Sequence, residues 1–189
     1  MMYYIKLGVI LLIFCAVAAG ILAYINGLTT PIITQRKALE AIETREGLIP
    51  NSTFEEKTAI SDSTFKYFVA LDKTTNEVNG YTFVASKNGY SGKIETMVGL
   101  DKDFKVIDVK IITQTETPGL GANCVKDSFR AMFKGLGVEN LIVNKDDKDN
   151  GKIIAMAGAT ITTRAIANSV REQILVLQKE LEQNNGGDK

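Results

Sequence analysis

Residues 65–112 read FKYFVALDKTTNEVNGYTFVASKNGYSGKIETMVGLDKDFKVIDVKII, and their period decides the fold. Phe65, Tyr67, Val69 and Leu71 alternate with Lys66, Phe68 and Ala70, the spacing of a strand whose successive side chains point to opposite faces. Asp72 to Gly80 is rich in turn formers, and Tyr81, Phe83 and Ala85 resume the alternation. Asn88-Gly89 is a tight-turn dipeptide; beyond it Ile94, Thr96, Val98 and Leu100 alternate with Lys93 and Glu95. Asp101-Lys102-Asp103 turns the chain again, and Ile107, Val109 and Ile111 alternate with Asp108 and Lys110. Short strands joined by tight turns predict an antiparallel meander with one wet face.

Towards the C-terminus the period lengthens. Asn123 is placed to cap a helix whose apolar positions are Val125, Phe129, Met132, Phe133 and Leu136. Its other side carries Lys126, Arg130 and Lys134, either a solvated face or a meeting surface for an anionic partner. A short strand is expected near Leu141 to Val143, then a charged hairpin loop from Lys145 to Gly151, with Ile153-Ile154 returning to the sheet. From about Ile161 to Gln183 a last helix shows Ile166, Val170, Ile174, Leu177 and Leu181 on one stripe, ended by Asn184-Asn185-Gly186-Gly187.

Upstream of the meander, Leu7 to Ile25 (LGVILLIFCAVAAGILAYI) is uncharged and long enough to cross a ~30 Å hydrocarbon core as a helix. Tyr3, Tyr4 and Tyr24 sit near its ends, as interfacial aromatics do. Ala16-Val17-Ala18 offers the competing reading of a cleaved signal peptide, but the apolar run continues past it, so a retained anchor is expected. Pro31 fits a break after the span, and Gln35 to Gly47 reads as a juxtamembrane helix ended by Gly47 and Pro50. The expected organisation is an anchor over 1–30, a helix and linker over 31–60, and a domain over 61–189. The fold class is α+β, a transmembrane helix followed by an antiparallel sheet packed by two or three helices.

Composition narrows the chemistry. Twenty-two basic residues balance 22 acidic ones, which gives no electrostatic case for nucleic acid. The chain has no histidine, which removes Ser-His-Asp and Cys-His catalysis, histidine-ligated haem and HExxH zinc sites. Cys15 and Cys124 are too few for an iron–sulfur cluster or a zinc knuckle. No metal site and no catalytic residue of its own is expected, so the chemistry is to be borrowed from a cofactor.

Two glycine-containing stretches are candidates to hold one. In Thr115-Glu116-Thr117-Pro118-Gly119-Leu120-Gly121, the proline stiffens the backbone and the glycines permit positive φ or close approach to a flat ring. On pattern alone, a plain strand-to-helix connection is the favoured reading of the same residues. In Ala157-Gly158-Ala159-Thr160, small residues keep bulk from a hydroxyl at a helix start, where unpaired N–H groups and the helix dipole favour an anion. On pattern alone Thr160 or Thr162 reads first as an ordinary N-cap, with Thr160 as a phosphate-bearing residue the alternative. Neither a Walker loop nor a GxGxxG fingerprint is present.

An apolar anchor, then GYSGKIETMVGLD (89–101), TETPGLGA (115–122) and AGATITT (157–163), in that order, resembles the FMN-binding domain family. Within it the length and single anchor are most similar to the G subunits of Rnf-type ion-translocating electron-transport complexes. The C subunits of sodium-pumping NADH:quinone oxidoreductases are the related alternative, and an anchored structural ectodomain is the alternative of another class. The resemblance implies FMN attached through a phosphoester to Thr160 by a flavin transferase, with Gly158, Ala159 and Thr163 around the attachment. It also implies that Glu116, Thr117, Leu120 and Gly121 lie against the flavin. The helix start and Arg164 are placed to offset the charge of such a phosphate. Further implications are other membrane subunits as partners and a soluble domain on the extracytoplasmic side of the cell membrane. Two positions depart from the family pattern: Ala157 stands where serine or threonine is usual, and Ile154 where an acidic residue is frequent.

Overall fold

In the computed structural model, which describes residues 2–59 and 65–186, the alternating stretch forms four strands of a five-stranded antiparallel sheet. Strand β1 (Ser52–Thr58) forms one edge; β2 (Lys66–Asp72), β3 (Val78–Asn88), β4 (Lys93–Asp101) and β5 (Val106–Thr113) follow in chain order and in space. β1 lies in the stretch expected to be linker. Its sequence STFEEKT has one large apolar residue, Phe54, and its last four residues are exposed, so an edge strand of this kind leaves almost no periodic signal. The turns are made by aspartates. Asp72 Oδ1 accepts the backbone N–H groups of Thr74 (2.7 Å) and Thr75 (3.1 Å), and Asp101 Oδ1 those of Asp103 and Lys105 (2.9 Å each).

One face of the sheet carries Tyr67, Phe83, Ile94, Val98, Leu100 and Val109, packed against the apolar stripe of α3 (Thr160–Gly186) through Ile166, Val170, Ile174 and Leu177. The other face is also covered. The end of α1 (Met2–Leu48) lies on it: Leu48 and Ile49 are buried, and a Cβ on Gly99 would stand 3.0 Å from the Leu48 side chain. Lys110 Nζ donates to Thr44 Oγ1 (3.2 Å), and the Arg45 guanidinium sits 3.5 Å over the Phe68 ring. β4 is therefore buried on both sides from Thr96 to Leu100, where one wet face was expected.

The chain divides into two units, Met1–Glu43 and Thr44–Lys189. The described part of the first is helix alone. α1 runs 47 residues without interruption at Pro31, where a break was expected. Pro31 can give no bond to the Gly27 carbonyl, yet the helix continues; in the turns around it the Thr29, Thr30 and Thr34 hydroxyls bond back to the carbonyls of Ile25, Asn26 and Thr30 (2.8, 2.7 and 2.9 Å). It is the one helix among the described residues long and apolar enough to span a bilayer.

The helix expected from Asn123 is three short pieces instead: 3₁₀ turns at Gly121–Val125 and Ala131–Phe133 flank α2 (Asp127–Arg130). Bonds to the edge of β5 outweigh local spacing. Gly135 N–H donates to Val106 O (2.7 Å), Val106 N–H to Leu136 O (3.0 Å) and Arg130 Nε to Val109 O (2.6 Å). Arg130 also pairs with Asp108 and Asp127, and Lys134 with Asp108, so this part of the basic row is engaged within the domain. Val143 and Ile153 meet in a parallel bridge, which closes residues 144–152 into a loop beside the start of α3.

Candidate functional site

Four segments converge on the N-terminus of α3: the β3–β4 turn, the 114–121 loop after β5, the 144–151 loop, and residues 155–159. Small residues let them meet. A Cβ on Gly121 would come within 2.6 Å of Glu116 Oε2 and 2.8 Å of Thr162 Oγ1; one on Gly89 would come within 2.6 Å of Glu116 Oε1. Gly158 has a φ of 71°, and a Cβ there would stand 3.0 Å from Leu120. Between the segments opens a cavity of about 540 Å³, within the range of cofactor sites, lined by Tyr90, Glu116, Thr117, Leu120, Gly121, Lys145 and Gly158 to Thr162.

Three threonines start the helix, and their hydroxyls have different fates. Thr163 is fully buried; its Oγ1 donates to Ala159 O (3.0 Å) and accepts the Met156 N–H (3.1 Å), closing the turn before the helix. Thr162, 1% exposed, donates to Glu116 Oε2 at 2.5 Å. Thr160 is half-buried on the cavity wall, and its Oγ1 is met by Lys145 Nζ at 3.2 Å. Of the three, Thr160 alone presents a hydroxyl to the cavity that no protein acceptor has taken. The helix begins there, with Thr163 N–H bonded to Ala159 O, so the preceding N–H groups face the same space.

The charge beside Thr160 is not the one expected. Arg164 is held by Asp146, its Nε 2.8 Å from both carboxylate oxygens, which lowers the Asp146 pKa and raises that of the guanidinium. That ion pair pins the 144–151 loop to the helix and turns the adjacent Lys145 to Thr160. No carboxylate among the described residues lies within ion-pair distance of Lys145. The ammonium and the helix start together make a site for one anionic group.

Glu116 is 5% exposed. Its Oε1 accepts the Ser91 N–H (2.9 Å) and its Oε2 the Thr162 hydroxyl, so it ties the β3–β4 turn to α3. Nearby Cys124 is fully buried, and burial first, then the Glu116 charge, push its thiol up to about 11, which keeps it an unreactive packing residue. Leu120 is 45% exposed at the cavity mouth with Tyr90 and Ile161, an apolar rim suited to a flat ring.

Seven of the eight residues expected at the site line this cavity; the eighth, Thr163, packs behind it. Sequence reasoning missed Tyr90, Lys145, Ile161 and Thr162 as lining residues. Tyr90 follows the Asn88-Gly89 turn and Ile161 and Thr162 fall inside the quoted motif, so signals existed for these three. Lys145 stands in a charged loop 15 positions before Thr160, with no pattern to single it out. A second cavity of about 530 Å³ beside Arg45, Glu56, Lys66 and Phe68 has no helix start, and Lys66 is already paired with Glu56.

Comparison with known proteins gives a consistent picture. Residues 89–174, which hold both glycine stretches, match the FMN-binding domain. The chain is 36% identical over 164 residues to the G subunit of the proton-translocating ferredoxin:NAD(+) oxidoreductase complex of Clostridium ljungdahlii, covering 87% of this chain and 86% of that one. It is 32% identical over 189 residues to the G subunit of the Na(+)-translocating ferredoxin:NAD(+) oxidoreductase complex of Acetobacterium woodii, covering 92% and 91%. Among solved structures it resembles the C subunit of the Na(+)-translocating NADH-quinone reductase of Parabacteroides distasonis, with TM-score 0.52 and 22% identity over 66% of this chain and 68% of that one. At that identity the likeness is one of fold.

Proposed function

The chain belongs to the FMN-binding family of G subunits of ion-translocating ferredoxin:NAD oxidoreductase complexes, and on that footing we propose that it carries FMN as a phosphoester on Thr160 and relays electrons within such a complex. The observation that carries the reading is the fate of the three hydroxyls: Thr162 and Thr163 are committed to protein acceptors, while Thr160 faces a cofactor-sized cavity beside a lysine and a helix start.

The residues present fit the group. The helix start and Lys145 suit the single negative charge of a phosphodiester. Tyr90, Leu120 and Ile161 suit the isoalloxazine, whose reversible reduction is the chemistry FMN supplies when bound. The chain's own share is positional. Gly158 admits Leu120, the Arg164–Asp146 pair sets the 144–151 loop, and the Thr163 bonds fix the turn that presents Thr160. A covalent link keeps the cofactor at a high effective concentration without an equilibrium. No autonomous active site is needed for a relay.

In this reading the apolar part of α1 anchors the chain in the cell membrane, the domain lies on the extracytoplasmic side, and a flavin transferase and the other membrane subunits are its partners. The named relatives differ in their ion, one proton-translocating and one Na(+)-translocating, so neither ion is assigned. The test is expression with a flavin transferase, followed by flavin fluorescence in a denaturing gel. The parent is expected to fluoresce and Thr160→Ala to be dark; a dark parent or a fluorescent Thr160→Ala would sink the assignment. Sidedness is tested apart: a membrane-impermeant label should reach an engineered cysteine in the domain of intact cells, and protection would reverse the topology.

A further inference from the structure

Glu116 is a buried carboxylate with no counter-ion among the described residues. Its two oxygens are satisfied by neutral donors, the Ser91 N–H at 2.9 Å and the Thr162 hydroxyl at 2.5 Å, a separation typical of O–H donation to an ionised oxygen. No lysine or arginine among the described residues pairs with it; the nearest cation on the cavity wall, Lys145, is bonded to Thr160. A charge buried this way is costly, and a latch between the β3–β4 turn and α3 could be built from a neutral amide that accepts from Ser91 and donates to Thr162. Something beyond latching is needed to account for the charge itself.

We propose that Glu116 sets the potential of the flavin: its unneutralised carboxylate, lining the cavity, holds the reduction potential of the bound FMN low. The inference rests on the reading of Thr160 above. Adding electrons to the ring adds negative charge beside a fixed negative charge that is itself 5% exposed, where the repulsion is screened less than between charges in water. The oxidised ring is thereby favoured over the reduced one, and the group becomes a stronger reductant. Lys145 and the helix start act at the attachment end and leave the carboxylate uncompensated. Glu116 is a tuning residue, taking no electron or proton.

The variant Glu116→Gln separates charge from latch, because the amide oxygen can accept from Ser91 and the NH₂ can donate to Thr162. The full chain, loaded by a flavin transferase in detergent, is titrated beside the parent. The expected result is a midpoint potential raised by about 30 mV or more, a tenfold change for a two-electron couple, with the flavin-free variant melting as the parent does. An unchanged or lowered midpoint in a folded Glu116→Gln overturns the proposal and leaves Glu116 a latch. If that variant does not fold, infrared difference spectra of the unsubstituted chain with isotope-labelled glutamate decide. Reduction should perturb an ionised carboxylate band; a protonated carboxyl band, or no glutamate signal, overturns the proposal. Peptide mass comes first: a parent without FMN on Thr160 overturns the underlying reading and takes this inference with it.

Discussion

At the scale of single residues, the site is a set of hydroxyls distinguished only by their partners. Thr163→Val should leave the Met156 N–H unpaired and cost about 1–3 kcal/mol of stability while flavin loading persists. Thr160→Ala should do the reverse, losing the flavin at nearly unchanged stability; denaturant unfolding and in-gel fluorescence together make the comparison. Lys145→Gln, which removes the cation at Thr160, should slow loading by about tenfold, with Lys145→Arg restoring most of it. The motif was legible in AGATITT, but the division of labour within it was not, because it depends on Glu116, 46 positions away from Thr162. Arg164 shows the same limit. Its nearness to the site could be read from the chain, but its capture by Asp146 could not. Cys124 gives a pH signature: its folded pKa, about 11, is raised above that of the unfolded thiol, so the stability it confers is full at neutral pH. That stability is lost as pH rises from about 9 to 11, with buried Tyr67 and half-buried Tyr81 acting in the same direction. The melting temperature should fall over that window, less steeply in Cys124→Ala.

At the scale of elements, strands that turn alternate side chains into one core announced themselves, and elements held by distant bonds did not. β2 to β5 and α3 follow their periods, because one side of each meets the same core. β1 has no such contrast, and the pieces from Gly121 to Phe133 obey hydrogen bonds to β5 in place of their own spacing. The end of α1 is the instructive case. Gly99 looks like a weak point in a strand, yet it makes room for Leu48, which helps to bury the second face of the sheet, while Gly80 admits the Leu100 carbonyl of the neighbouring strand. Gly99→Val should therefore destabilise the chain by about 1–3 kcal/mol in chemical unfolding, although a valine raises strand propensity. A neutral or stabilising result would mean that the helix end does not pack there.

At the scale of the whole molecule, a spanning helix and a cofactor domain are joined in one short chain, and the chain's membership of the G-subunit family gives that pairing its sense. The chain has no histidine and its two cysteines are free, which suits a subunit whose redox chemistry is that of a held cofactor. On the proposed reading its contribution is a cradle: glycines that let four segments meet, a lysine and a helix start for the phosphate, and a buried carboxylate on the cavity wall. Everything in that account hangs on one bond. The tryptic peptide of residues 153–164, IIAMAGATITTR, from the chain expressed with a flavin transferase, should gain the mass of FMN less one water, with fragment ions placing the gain on Thr160. A gain on Thr162 or Thr163, or a peptide of unmodified mass, would contradict it.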